Sequence, residues 1–236
     1  MKPPFLKRQY EKRPDWRRLM AEDWMFEAGI FVDVHSRLMP FEQARKLLSA
    51  VELSGLLKEY FGGANSGHRL IFQVLSQEFV SQLASMINAV LAVVDSPGPV
   101  LEVMSGGGEL SEFLRPLLTR EIIATDSKSD GYRICYPKWV RTMDAIEAVD
   151  LLSPSFVIIS WEPHLSVVGL DIVARGLPLA WIGETAVCGH PELLEKPHIR
   201  VNSSYAIGRH DSILGGNFKT DIYLFNCETV TRTRDV

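Results

Sequence analysis

The spacing of apolar positions divides the chain in two. Between residues 40 and 94 they recur every three or four residues, whereas from Pro99 onward they come in short unbroken runs separated by polar or glycine-rich turns. The first pattern predicts helices and the second predicts buried strands of a parallel sheet alternating with helices. A helix is expected over about 40–61: Ala44, Leu47, Leu48 and Val51 share one face, Pro40 suits the first turn, and Gly62-Gly63 supplies a stop. A second is expected over about 67–94, capped by Asn65 or Ser66, with a stripe through Ile71, Val74, Leu75, Phe79, Leu83, Met86, Ile87, Val90 and Val94. Asp95-Ser96-Pro97-Gly98-Pro99 then breaks the chain.

Strand-like runs follow at Val100–Val103, Glu121–Asp126, Val140–Ala145, Ser155–Ser160 and Leu177–Glu184, with a helix expected over about 109–119 after the first of them. Two further β-rich runs, 199–206 and 221–227, are joined through a loop containing Gly215-Gly216 and read as an antiparallel edge pair. The expected architecture is α/β: a doubly wound, mostly parallel seven-stranded sheet with an antiparallel last strand, preceded by a helical cap. The expected division is 1–97, a basic arm with the cap, and 98–236, the sheet domain. The last cap helix is expected to pack on the sheet.

Composition narrows this picture without changing it. A chain of 236 residues, 46% hydrophobic and 23% charged, is long enough for one α/β domain and an extension. A formal net charge of −4 gives no global drive toward nucleic acid. The 3 cysteines, Cys135, Cys188 and Cys227, are widely spaced, so neither a disulfide framework nor a paired-cysteine metal site is indicated, and a reducing, cytoplasmic setting fits. The basic N-terminus has no apolar core behind it, unlike a secretory signal, and no stretch approaches the roughly 20 apolar residues that cross a bilayer. Within residues 1–27, seven Lys and Arg interleave with Phe5, Tyr10, Trp16, Trp24 and Phe26. That arm reads as a solvated extension packing its aromatics on the domain. A grip on single-stranded RNA, on an acidic protein or on a second subunit stays open.

The chemistry concentrates in Pro99–Leu114, PVLEVMSGGGELSEFL. An apolar run ends in Ser105-Gly106-Gly107-Gly108 and gives way to a helical segment, so strand, glycine turn and helix succeed one another. Three glycines present bare backbone to a ligand, and Glu102 is a carboxylate inside a buried strand that needs a partner. A dinucleotide G-x-G-x-x-G motif starting at Gly106 would require glycine or alanine where Ser111 stands, which disfavours that fold. Asp126 ends the next strand about 20 residues later, the place of a ribose-binding acid.

VLEVMSGGGELS resembles the first motif of class I, Rossmann-like S-adenosylmethionine-dependent methyltransferases, matching at Glu102, Gly106 and Gly108, with Met104 standing where the family usually has its first glycine. The resemblance covers about 99–227. It implies S-adenosylmethionine as cofactor, held by Glu102, Ser105, Gly106, Gly108, Asp126, the Asp144-Ala145 pair and Ser160. Asp126 would take the ribose hydroxyls, and Asp144-Ala145 the adenine edge. It places the reaction at Ser160-Trp161-Glu162-Pro163-His164, which departs from the Asn/Asp-Pro-Pro-aromatic motif of base-methylating members. There Trp161 would wall the sulfonium, and Glu162 or His164 would orient an amine or accept a proton. Glu184, ending the fifth strand, is a further residue expected to face the cleft.

Three functions follow as expectations. The first is a methyltransferase acting on a small molecule, with RNA or protein acceptors left open. The second is a non-catalytic module of the same fold that captures a partner through the basic arm. The third is a nicotinamide-dependent oxidoreductase. No membrane association is expected, and a homodimer is left open.

Overall fold

A computed structural model describes residues 31–129, 134, 136–216 and 218–227. The basic arm of 1–27 and Cys135 lie outside the described residues. The described residues form two compact units, one of residues 31–78 with 207–216 and 218, the other of the described residues between 79 and 206 with 219–227.

In the first unit, helix α1 (Phe41–Leu53) follows Pro40 and buries Phe41, Ala44, Leu47, Leu48, Ala50 and Val51. Gly55, at φ 74°, turns the chain before helix α2 (Leu57–Phe61), so the single helix expected over 40–61 is two helices. Residues 67–76, expected to be helical, are not. Val74 N donates to Ile207 O (2.8 Å), Arg209 N to Phe72 O (2.9 Å), and the Gln73 amide to Ile207 O (3.0 Å). Ile71, Val74 and Leu75 are buried as the helical reading required, but their N–H groups donate to Phe61 O (3.0 Å), Ile207 O (2.8 Å) and His35 Nε2 (3.1 Å) and not to the preceding turn of a helix. The stripe reported burial correctly and conformation wrongly, because a distant partner decided the latter.

Helix α3 (Gln77–Leu91) carries the rest of that stripe except Val94, which lies past its end, and buries Phe79, Val80, Leu83, Ala84, Ile87, Val90 and Leu91. From Phe79 it belongs to the second unit. The Asn88 amide donates to Leu117 O (2.8 Å) and its oxygen accepts from Thr119 N (2.9 Å), which ties the helix to that unit.

The second unit is built on one seven-stranded sheet: β1 (Val100–Val103), β2 (Ile122–Asp126), β3 (Arg141–Thr142), β4 (Phe156–Ser160), β5 (Leu179–Gly183), β6 (His198–Arg200) and β7 (Asp221–Phe225). Their order is β3-β2-β1-β4-β5-β7-β6. Strands β1 to β5 run parallel, and β7 is antiparallel to both of its neighbours, β5 and β6. This is the doubly wound α/β sheet with a reversed last strand that the pattern predicts. Strands β1, β2, β5 and β7 are buried along their whole length, as sheets covered on both faces require. Helices α4 (Glu109–Leu114), α5 (Ala145–Leu152) and α6 (Val168–Ala174) supply the crossovers, and a 3₁₀ turn, Pro191–Glu195, precedes β6. Helix α4 stops short of the expected 119 because Pro116 lacks the N–H that another turn needs.

Successive strands step one way from β1 through β2 to β3, and the other way from β4 to β5. The direction reverses between β1 and β4. In open α/β sheets the crevice outside the carboxyl ends of the strands at such a reversal is where ligands bind.

Candidate functional site

Every site residue expected from the sequence lies at the carboxyl edge of the parallel strands. Glu102 is in β1 and Ser105–Gly108 follow it; Asp126 ends β2; Asp144 and Ala145 follow β3; Ser160 ends β4, and Trp161, Glu162 and His164 follow. Three backbone N–H groups tie the first three ends together: Ser105 N donates to Thr125 O (3.0 Å), Met143 N to Asp126 O (3.0 Å), and Gly106 N to the Asp126 side-chain Oδ2 (2.9 Å).

The loop after β1 is held in an unusual conformation. Met104 (φ 54°), Gly106 (55°) and Gly108 (76°) all take left-handed backbone. For Met104 that costs on the order of 1–3 kcal/mol, and residues carrying such strain cluster at functional sites. Trp161, just after β4, is also left-handed (φ 60°), so both strands flanking the reversal end in a strained non-glycine residue. The three glycines differ in what faces them. A Cβ on Gly106 would meet nothing nearer than Ile134 Cδ1, at 3.8 Å. On Gly107 the space is filled by the Glu109 carboxylate, and on Gly108 a Cβ would lie 2.5 Å from the Trp139 ring. Bare backbone is therefore open at Gly106 and covered at the other two. The Ser105 hydroxyl is buried with no hydrogen-bond partner among the described residues.

Glu102 is 2% exposed, and its Oε2 accepts from Ser111 N (3.0 Å) and from the Ser111 hydroxyl. Burial drives its pKa up to about 8, and the nearby Glu109 and Asp126 carboxylates push the same way against the two Ser111 bonds. The costly carboxylate in the strand thus has a partner in the chain itself. Asp126 gives one oxygen to Gly106 N and the other to Lys128 N (2.7 Å). Two carboxylate oxygens offer about four acceptor positions, so half of its capacity is left for a ligand. Asp144 is the N-cap of α5, its Oδ1 accepting from Ile146 N (2.9 Å), and Ala145 is the first helical residue.

After β4, Glu162 is 1% exposed and fully engaged. Its Oε1 accepts from the Ser166 hydroxyl (2.7 Å) and Gly169 N (2.9 Å), and its Oε2 from the Trp181 indole (2.9 Å). It joins the start of α6 to β5 and has no exposed face to offer a substrate. Trp161 is half-buried against the core and His164 is exposed. Ser160, half-buried, pairs with Ile182 of β5. Glu184 is 6% exposed, with Oε1 accepting from Ala186 N (3.3 Å).

Sequence reasoning missed Trp139, Ile134, Glu109 and Ser111, all of which face the glycine loop or Glu102. The Trp139 ring also carries Arg115, whose guanidinium carbon lies 5.0 Å from its centroid. Ser111 was legible in principle: it lies nine residues after Glu102, two positions into the helix that leaves the glycine turn. The first unit has its own cavity of about 410 Å³, lined by Glu52, Lys58, Phe61 and Arg209 among others, and none of its residues belongs to the expected set. No helix among the described residues is long and apolar enough to cross a membrane. The chain matches no family model, and no curated protein matches it.

Proposed function

We propose that the protein is an S-adenosylmethionine-dependent methyltransferase whose cofactor lies in the crevice between the ends of β1 and β4. The observation that carries this reading is the unpartnered, buried Ser105 hydroxyl beside the open backbone of Gly106, at the point where the strand order reverses. A buried hydroxyl without a partner costs about 1–3 kcal/mol, which a polar ligand group would recover. The reversed last strand agrees with the sheet that the sequence resemblance implies.

On this reading Ser105 and Gly106 meet the polar end of the cofactor, the spare acceptor positions of Asp126 take its ribose hydroxyls, and Asp144-Ala145 border its base. The cofactor supplies a methyl group bonded to a positively charged sulfur, ready for in-line displacement. The chain's task is to align the acceptor and keep water out, and orientation alone accounts for several kcal/mol of such a barrier. Trp161 forms an apolar wall at the end of β4, and His164, exposed beside it, takes a proton from an acceptor that carries one. Glu162 serves as a positioning residue, since its three hydrogen bonds fix the loop that holds Trp161 and His164.

Calorimetry with S-adenosylhomocysteine is expected to show micromolar binding, severely weakened in Gly106→Val, with the fold checked by thermal unfolding. No binding of either S-adenosylmethionine or S-adenosylhomocysteine overturns the proposal.

A second reading is favoured by one observation: Glu109 and Trp139 fill the space beside Gly107 and Gly108. A module of this fold that has given up methyl transfer, and works by capturing RNA or protein through its basic arm, would tolerate such filling. It is distinguished by deleting residues 1–27. Loss of partner capture, with no methyl transfer to any acceptor by the full chain, supports the module.

A further inference from the structure

Five acids at the carboxyl edge of the parallel strands are at least nine-tenths buried: Glu102, Asp126, Glu162, Glu184 and Asp221. A buried carboxylate is costly unless donors surround it. Four of the five have them in the chain. Ser111 meets Glu102, and Ser166, Gly169 N and the Trp181 indole meet Glu162. Asp126 takes an N–H on each oxygen. Asp221 takes Arg200 Nε (2.8 Å), Ser203 N (2.9 Å) and Ile222 N (2.8 Å). Glu184 is the exception. Its Oε1 accepts one long bond, from Ala186 N (3.3 Å), and its Oε2 accepts from no described residue. The residue keeps 6% of its surface in solvent, and Oε2 is not among the sealed oxygens that lack a partner, so a ligand group can reach it.

The neighbours of Glu184 say what that group is. Gly183 pairs with Asp221 across β5 and β7, and the Tyr223 phenol feels both the Glu184 and the Asp221 carboxylates, so the two acids share one neighbourhood. The cation there, Arg200, is committed to Asp221, and no ion pair among the described residues includes Glu184. That neighbourhood therefore carries two carboxylates against one guanidinium. Trp161 N donates to Ile182 O (2.8 Å), which ties the aromatic residue after β4 to the strand end that carries Glu184. An aromatic residue and a carboxylate on adjoining strand ends are the groups that recognise an organic cation. Among the described residues no three His, Cys, Asp or Glu side chains gather as a metal site needs. With Oε1 held by Ala186, a single oxygen faces the ligand, which suits the point charge of an ammonium better than the two-pronged fork of a guanidinium. We infer that Glu184 binds a protonated amine on the molecule that enters the crevice at the ends of β4 and β5. That this molecule is the methyl acceptor rests on the methyltransferase reading.

The test uses the full chain and two measurements. Calorimetry at neutral pH, with S-adenosylhomocysteine present, compares benzylamine, which is protonated there, with benzyl alcohol, which is neutral and of nearly the same shape. The amine is expected to bind at least ~10-fold more tightly, as a charge-assisted hydrogen bond in place of a neutral one allows. Glu184→Gln, which keeps an acceptor for Ala186 N, is expected to remove that preference and to leave S-adenosylhomocysteine affinity within about twofold. The second measurement is urea unfolding without ligand. A buried carboxylate that awaits its partner weakens the free chain, so Glu184→Gln is expected to raise the urea midpoint, whereas replacing a carboxylate held for structure lowers it. Absence of amine binding, equal binding of amine and alcohol, a preference that survives Glu184→Gln, or a lowered midpoint each overturns the inference. If the preference depends on Glu184 but neither adenosyl ligand binds the wild-type chain, the acceptor role falls and the amine site stands.

Discussion

At the scale of single residues, two buried glutamates at the carboxyl edge have opposite characters. Glu102 has its pKa raised from 4.5 to about 8, so the folded chain holds this proton more tightly than the unfolded chain. The resulting stabilisation is complete below about pH 4.5 and is lost as pH rises toward 8. One proton sets a slope of at most about 1.4 kcal/mol per pH unit. Glu102→Gln, which keeps an acceptor for Ser111 and cannot ionise, is expected to remove that slope from urea midpoints measured across this range. Identical slopes in variant and wild type would show that Glu102 is charged in the folded state. Glu162 instead holds three donors, and Glu162→Ala would leave the Trp181 indole and Gly169 N without partners in the core. A loss of about 3–5 kcal/mol is expected from denaturant unfolding, as when one partner of a buried polar network is removed. The sequence exposed Glu102 as out of place in a buried strand and offered Glu162 only as a group to orient an amine or accept a proton. It did not reveal their partners, because Ser111 and Ser166 are ordinary residues until the fold brings them to a carboxylate.

At the scale of elements, the strands were the most legible part. Unbroken apolar runs such as Phe156–Ser160 have a single stable use, a buried strand, whereas the run expected over 140–145 is a strand only at Arg141–Thr142 and the run expected over 199–206 only at His198–Arg200. Helices were read less well, since three- and four-residue spacing in 71–75 reports only which residues are buried. Local signals did mark the true limits: Gly55 breaks the first helix and Pro116 stops α4. The candidate site was legible as a set of strand ends but not as a surface, because the residues covering Gly107 and Gly108 come from Glu109 and from Trp139, far along the loop. Helix α3 tests how an element is fixed to the sheet unit. Its Asn88 side chain bonds both Leu117 O and Thr119 N, in a stretch with no regular structure of its own. Asn88→Ala is expected to cost about 1–3 kcal/mol, and to speed amide exchange at Thr119 more than in the strands. Uniform acceleration across the sheet would mean that the bonds secure the whole unit and not that stretch alone.

At the scale of the whole molecule, chain order and spatial order disagree in one decisive place. Strand β7, last in sequence, lies between β5 and β6, so β6 has no place in the sheet until residues 221–225 arrive. The segment before it, 207–218, belongs to the first unit, where Ile207 and Arg209 bond the backbone of residues 72–74. Both units therefore depend on chain beyond Ala206, although the arm, the cap helices and all five mutually parallel central strands precede that point. A chain ended at Ala206 would leave β5, whose residues Leu179–Gly183 are all buried in the full protein, as an open apolar edge. Such an edge is a template for pairing with other chains. The truncated chain is expected to lose its cooperative thermal transition by circular dichroism and to elute as aggregate in size-exclusion chromatography. A monomeric, cooperatively melting product would mean that the first five strands and their helices form a self-sufficient core, and that the reversed strand completes the sheet without being needed to hold it.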